Sequence, residues 1–236
     1  MECTEVKIPL SGEKWAAKSE AYAALIAEHL MPQTVWLDAG CGSRLLESDM
    51  DAVEDWLTGR CRFIVGMDFR VTAHRNIRSL VGGSLYELPF PDGSLDLITC
   101  NMVVEHLDDP ARAFAEVARC LSSAGAFVVK TPNVWNYGVM ANAAAARILP
   151  EGLRLRLAQE TDGRREHEFF PVRYKANTMS TLMRRLEKAG LHVHKAIALA
   201  QQRAFFRKAD KIEKLLMKLT PVNGLLVCAH KRAASY

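Results

Sequence analysis

Val35-Trp-Leu-Asp-Ala-Gly-Cys-Gly-Ser-Arg-Leu-Leu-Glu47 is the stretch whose reading decides the fold. A short apolar run, β-branched at Val35, meets Gly40 and Gly42, which reads as a buried strand ending in a tight turn. An acid, Asp38, stands just ahead of the turn and an arginine, Arg44, just behind it. The charges beside the glycines limit what the turn can hold.

Outward from that turn, strands and helices alternate. Apolar residues at helical spacing from Ser11 to Leu30 predict a leading amphipathic helix that Pro32 stops. After the first strand, Thr34 to Asp38, a helix is expected through Ala52, Val53, Trp56 and Leu57, ended by Gly59. Arg62 to Asp68 reads as a second buried strand and Val71 to Leu80 as a short helix, with Gly82-Gly83 closing a third strand. Leu95 to Cys100 and Ala126 to Lys130 read as the fourth and fifth strands, around a helix opened by Asp108-Asp109-Pro110. Helices at 139–148, 177–189 and 209–219 and strands at 192–199 and 225–230 complete the pattern.

This alternation predicts an α/β fold, a mostly parallel sheet with helices on both faces and right-handed crossovers. Ligands in such sheets sit beyond the carboxyl ends of the strands. Candidate residues are therefore those from Asp38 to Arg44, Asp68, Ser84, those from Asn101 to His106, and those from Thr131 to Asn133.

Composition sets the outer bounds. A hydrophobic content of 49% with 25% charged residues is an ordinary globular balance. No apolar run approaches the roughly 20 residues that span a bilayer. The N-terminus lacks the basic start and apolar stretch of a secretory signal, so a cytoplasmic protein is expected. Six cysteines, at 3, 41, 61, 100, 120 and 228, include no Cys-x-x-Cys pair, and neither disulfides nor a zinc knuckle is suggested. A net charge of +4 is too mild to point to nucleic acid.

A nicotinamide fingerprint would need a third glycine where this chain has Leu45, and Asp38 would repel the pyrophosphate. No Gly-Lys-Ser/Thr follows for a phosphate loop. A short-chain dehydrogenase needs Tyr-x-x-x-Lys, which none of the five tyrosines provides. A cationic ligand that also carries a ribose suits Asp38 and Asp68 together, and S-adenosylmethionine is such a ligand.

Leu37-Asp-Ala-Gly-Cys-Gly42, Val65-Gly-Met-Asp68, Leu88-Pro-Phe-Pro-Asp-Gly-Ser-Leu-Asp96 and Glu105-His106 together resemble the class I S-adenosylmethionine-dependent methyltransferases, in particular their small-molecule branch. The resemblance covers about the first 130 residues. It implies a Rossmann-like seven-stranded sheet with the last strand antiparallel, plus a helical cap. It divides the chain into an N-terminal helix (1–32), a cofactor-binding half (33–133), a cap insertion (134–176) and C-terminal strands and helices (177–236), within a single domain.

By the same resemblance, S-adenosylmethionine is the cofactor. Backbone at Ala39, Gly40, Cys41 and Gly42 touches its methionine part, and Asp38 draws the ammonium directly or through water. Asp68 accepts both ribose hydroxyls, as a carboxylate can from a vicinal diol, and Phe69 lies against the adenine. Ser84 with Leu85, and Asn101 with Met102 at the fourth strand's end, complete the expected set. Two positions depart from the pattern: Arg44 replaces a frequent glycine, to crowd the methionine carboxylate or pair with it, and Ser84 replaces a frequent adenine-binding Asp. Asp68 also lies 28 residues after Gly40, against about 20 in dinucleotide folds.

The expected reaction is methyl transfer to a small-molecule acceptor, at a hydroxyl oxygen of a sugar, aromatic or lipid-linked compound. His106 is the candidate base, since histidine titrates near neutral pH. The alternatives are a non-catalytic binding module on the same fold, or an RNA or protein methyltransferase. Asn101-Met-Val-Val lacks the Asn/Asp-Pro-Pro-aromatic turn of base-amine enzymes, and Cys100 sits in a strand rather than a reactive loop, so nucleic acid is not the expected partner.

The cap offers Trp135, Tyr137, Arg164, Arg165, His167, Phe170, Arg173 and Tyr174 for the acceptor. His192 and His194 share a strand face without an evident third ligand, so no metal is expected. Residues 203–219 form a basic amphipathic pattern that packs on the sheet or touches an anionic membrane peripherally.

Overall fold

The computed structural model describes residues 17–150, 152–153, 170–200 and 211–232. Cys3, Trp15, Arg164, Arg165, His167 and residues 203–210 lie outside them.

Seven strands, β1 (Val35–Ala39), β2 (Phe63–Asp68), β3 (Ser79–Gly82), β4 (Leu95–Asn101), β5 (Leu121–Pro132), β6 (Leu191–Ala200) and β7 (Val222–Lys231), form one sheet. Their order is β3-β2-β1-β4-β5-β7-β6. The first five run parallel, and β7 lies antiparallel between β5 and β6. This is the Rossmann-like, mostly parallel sheet with the last strand antiparallel that the sequence predicts. The order reverses beside β1, at the crevice where such sheets hold ligands.

Because successive side chains alternate across a strand, the buried strands feed two cores. One face carries Leu37, Ile98, Phe127 and Val227, covered by Phe114 and Val117 of α3 (Pro110–Cys120) and Leu182 and Leu186 of α5 (Met179–Lys188). The other carries Trp36, Leu97, Val128 and Leu226, covered by Tyr22, Leu25 and Ile26 of α1 (Ala17–Ala27) and Val53 and Leu57 of α2 (Asp51–Thr58). Each such large side chain fully removed from water contributes roughly 1.5–3 kcal/mol. α4 (Tyr137–Ile148) belongs to the segment expected to form the cap.

Local chemistry sets the boundaries. Asp109 caps α3 by accepting from the amides of Ala111 and Arg112, with Pro110 as the first helical residue. The Leu88–Asp96 motif is scaffold: Arg119 of α3 donates to the carbonyls of Leu88 and Phe90 and to Asp92. Glu116 accepts from the Leu88 amide.

One predicted element does not form. Val71 to Leu80 is not a helix; it runs irregularly to Arg78 and then joins the sheet as β3. His74 Nδ1 accepts the amides of Asn76 and Ile77, and Arg75 forks onto Asp55 of α2 at 2.7 and 2.9 Å. These side-chain bonds compete with the helical ladder.

Among the described residues no helix is long and apolar enough to cross a membrane. In α6 (Lys211–Leu219), Leu216 and Met217 are half-buried, while Leu215 and Leu219 are exposed beside Lys214 and Lys218.

Candidate active site

The turn after β1 depends on its glycines. Gly40 and Gly42 hold φ of 78° and 51°, in the left-handed region that disfavours side chains. The amides of Gly40 and Cys41 both donate to the Met67 carbonyl, at 2.7 and 3.1 Å, which stitches the turn to the end of β2. A Cβ at residue 40 would lie 2.2 Å from Cγ2 of Val103. The turn is thus pressed against the segment that follows β4.

Asp68 ends β2 beside it. Its Oδ2 accepts the Gly42 amide and its Oδ1 the Arg70 amide, each at 3.0 Å. Two backbone donors fix the carboxylate's rotamer, and each oxygen keeps a second lone pair for a ligand.

Above these strand ends lies a cavity of about 1010 Å³. Of the residues expected to bind cofactor, Gly40, Gly42, Asp68, Phe69, Ser84, Leu85 and Met102 line it, as does His106. Phe69 is 77% exposed and offers the cavity an apolar ring. Met102 holds a φ of 58°, a strained left-handed backbone for a side-chain residue, at the carboxyl end of β4. Ser84 Oγ accepts the Tyr86 amide, and a Cβ on neighbouring Gly83 would meet Met67 Sδ at 2.7 Å.

Asp38, Ala39, Cys41 and Asn101 sit outside the cavity lining. Ala39 and Cys41 are buried, and Asn101 Oδ1 is buried without a hydrogen-bond partner. Arg44, flanking the turn, pairs with Asp51 of α2 at 2.5 Å.

Asp38 is 3% exposed, on the face covered by α1. Thr99 Oγ1 donates to its Oδ1 at 2.7 Å and itself accepts from the Trp36 indole at 2.8 Å. Burial pushes the Asp38 carboxyl up to about 7; the Thr99 bond opposes the rise, and the charges of Glu54 and Asp68 add to it. Folding therefore raises this acid above its ordinary value. Its stabilising share is complete below the unfolded value near pH 4 and is lost as pH climbs through about 7. Asp38→Asn is expected to raise the melting temperature of ligand-free protein most above about pH 7, with the gap closing near pH 4. Melting curves that shift in parallel across that range would contradict it.

Glu105 and His106 lie in a 3₁₀ turn after β4, Val104–His106. The Glu105 carbonyl accepts the amides of Arg173 and Tyr174, so the returning chain is hung on this turn. His106 Nδ1 lies 2.9 Å from the Pro171 carbonyl. A carbonyl only accepts, so in the neutral ring Nδ1 carries the proton and Nε2 the lone pair. Nε2 is 4.0 Å from Oε1 of Glu105, a buried carboxylate that also accepts from Thr131 Oγ1.

Of the cap residues, Phe170 lines the cavity and packs edge-on against His106 with ring centroids 5.9 Å apart. Arg173 pairs with Asp108, Tyr137 is buried and Trp135 is exposed. Three contributors carried no role in the sequence reading. Val103 fills the space a Gly40 side chain would need, Glu105 faces His106, and Arg70 lines the cavity with its guanidinium 5.5 Å from the Phe170 ring.

Residues 37–129, the stretch that builds this crevice, match the methyltransferase domain family. Over that stretch the chain is similar to a methyltransferase domain. A probable S-adenosylmethionine-dependent methyltransferase of Mycolicibacterium smegmatis is 30% identical over 142 residues, 53% of this chain and 52% of that one. A similarly named protein of Mycobacterium tuberculosis is 35% identical over 103 residues, 41% of this chain and 35% of that one. The chain thus spans about half or less of the length of these relatives. Among solved structures, geranyl diphosphate C-methyltransferase from Streptomyces coelicolor, in complex with S-adenosyl-L-homocysteine, superposes with a TM-score of 0.56 at 17% identity. The match covers 90% of this chain and 76% of that one. A Haloferax volcanii methyltransferase in complex with the Trm112 activator gives 0.59 at 18% identity, covering 93% of each chain. At such identities the likeness is one of fold alone.

Proposed function

We propose that this methyltransferase domain binds S-adenosylmethionine in the crevice between the β1 turn and Met102, and transfers its methyl group to a hydroxyl of a small-molecule acceptor. The observation that carries the reading is Asp68: a carboxylate aimed by two backbone amides at the mouth of a glycine turn, with an exposed Phe69 next to it. Asp68 takes the ribose hydroxyls, Phe69 covers one face of the adenine, and Ser84 and Leu85 border it. Backbone from Ala39 to Gly42 holds the methionine part. Asp38 acts from beneath the turn, and a cation above it draws off its proton.

When bound, the cofactor supplies a methyl carbon activated by its sulfonium. The protein's work is then to align the acceptor, exclude water and take up one proton. His106 Nε2 accepts the acceptor hydroxyl's proton, and Glu105 steadies the resulting charge. His106→Gln is expected to lower kcat about 100-fold or more while leaving S-adenosylhomocysteine affinity unchanged; an undiminished kcat removes the base from the mechanism. Incubation with labelled cofactor and a cell extract, followed by mass spectrometry, identifies the acceptor. Cofactor binding with no labelled product across extracts favours a non-catalytic module instead.

Exposed Leu215 and Leu219, each next to a lysine (Lys214 and Lys218), support a weak contact of α6 with an anionic membrane, suited to a lipid-linked acceptor. The protein is expected to float with vesicles rich in anionic lipid and to remain behind with neutral ones. Identical behaviour with both ends that reading.

A further inference from the structure

A second cluster of chemistry lies on the opposite side of the sheet's centre from the cavity wall formed by β2 and β3. Cys228 and His230 stand two residues apart on β7 and so share a face. His29, in the turn after α1, reaches the same point. One ligand atom from each of the three, sulfur or imidazole nitrogen, lies within 4.8 Å of the others. Cys228 Sγ and His29 Nε2 are 3.1 Å apart, and the His29 and His230 rings meet edge-on at 5.1 Å.

A fourth donor stands beside them. The bulge in β6 between Val193 and Lys195 separates the two histidines that alternation would place together. His192 turns to Glu187, with Nδ1 3.3 Å from Oε1, whereas the His194 ring lies 5.4 Å from that of His230. Around the cluster Glu28 is held by Lys195 at 2.8 Å, so no carboxylate is needed to complete the set.

We propose that His29, Cys228 and His230, with His194 as the fourth ligand, form a structural zinc site. Three imidazoles and one thiolate are a donor set that Zn²⁺ takes in tetrahedral geometry, at roughly 2.0–2.3 Å per bond. That geometry sets ligand atoms roughly 3.3–3.8 Å apart; those of His29, Cys228 and His230 already stand within 4.8 Å of one another, and the exposed His194 ring swings in from beside His230 to join them. Cys228 is buried and both of its histidine neighbours are half-buried. The metal joins the end of α1 to the β7–β6 edge, and α1 is the helix that covers the face containing Asp38.

Untagged, metal-stripped protein is titrated with Co²⁺ as the probe, followed by Zn²⁺. The expected result is one Co²⁺ per chain, with visible bands of tetrahedral cobalt and an ultraviolet thiolate-to-cobalt band, both lost when Zn²⁺ displaces it and raises the melting temperature. Cys228→Ser abolishes the thiolate band and weakens binding by at least about tenfold. His29→Gln weakens binding similarly but keeps that band, and His192→Gln changes neither. Absence of tetrahedral cobalt bands in the parent protein overturns the proposal, leaving an ordinary thiol–imidazole hydrogen bond. Bands equally strong in both Cys228→Ser and His29→Gln overturn it as well, and the His29 variant decides if the Cys228 variant does not fold.

Discussion

Gly40→Ala is expected to abolish measurable cofactor binding. The methyl group would sit 2.2 Å from Cγ2 of Val103, well inside contact distance, on a backbone whose φ of 78° already disfavours a side chain. Overpacking of this kind costs about 1–3 kcal/mol, and a left-handed residue adds about 1–2 kcal/mol. The turn escapes the collision by withdrawing from Val103, which breaks the paired bonds of Gly40 and Cys41 to the Met67 carbonyl. At about 1.4 kcal/mol per factor of ten, a loss on the order of 100-fold or more in S-adenosylhomocysteine affinity follows. Val103→Ala in the same chain opens the space and is expected to restore part of the affinity. Calorimetry showing Gly40→Ala with parent affinity would remove the turn from the site.

Asp68→Asn should be nearly as damaging, for a different reason. The carboxylate meets the Gly42 and Arg70 amides with one oxygen each, so both of its ends must be acceptors. An amide side chain brings an NH₂ against one of those donors and offers the ribose a single acceptor. Hydrogen bonds to a charged group contribute about 1.5–3 kcal/mol each, and losing the charge on two of them predicts an affinity loss of roughly 100-fold. Thermal unfolding without ligand should change much less, because Asp68 lies at the cavity rather than in the core. An unchanged dissociation constant would show that the ribose is held elsewhere.

The parts of this site that could be read from the sequence were those fixed by backbone rules. Glycines at a strand end announce a left-handed turn, and an acid at the end of the next strand must arrive beside it in a parallel sheet, which places Gly40, Gly42 and Asp68 in one crevice. The antiparallel insertion of β7 came through family likeness, since spacing alone does not set strand direction. The helix expected at Val71–Leu80 failed because apolar spacing does not register His74 binding its own loop amides or Arg75 reaching α2.

Side-chain destinations were the least legible. Spacing places Asp38 at the turn, but only alternation along β1 shows its carboxylate lying beneath the turn against Thr99, where burial pushes it up to about 7. Arg44 answers to Asp51, a helix residue seven positions on. The His29–Cys228–His230 cluster joins residues about 200 apart in sequence, and only the packing of α1 against β7 brings them together.

The central claim is that this crevice takes a cationic sulfur cofactor rather than a polyanionic dinucleotide. Its most direct test is isothermal titration of the folded protein, near pH 8, with S-adenosylmethionine and separately with a nicotinamide dinucleotide. The expected result is one S-adenosylmethionine bound per chain and no heat from the dinucleotide. Saturable dinucleotide binding, with none by S-adenosylmethionine or S-adenosylhomocysteine, would contradict it.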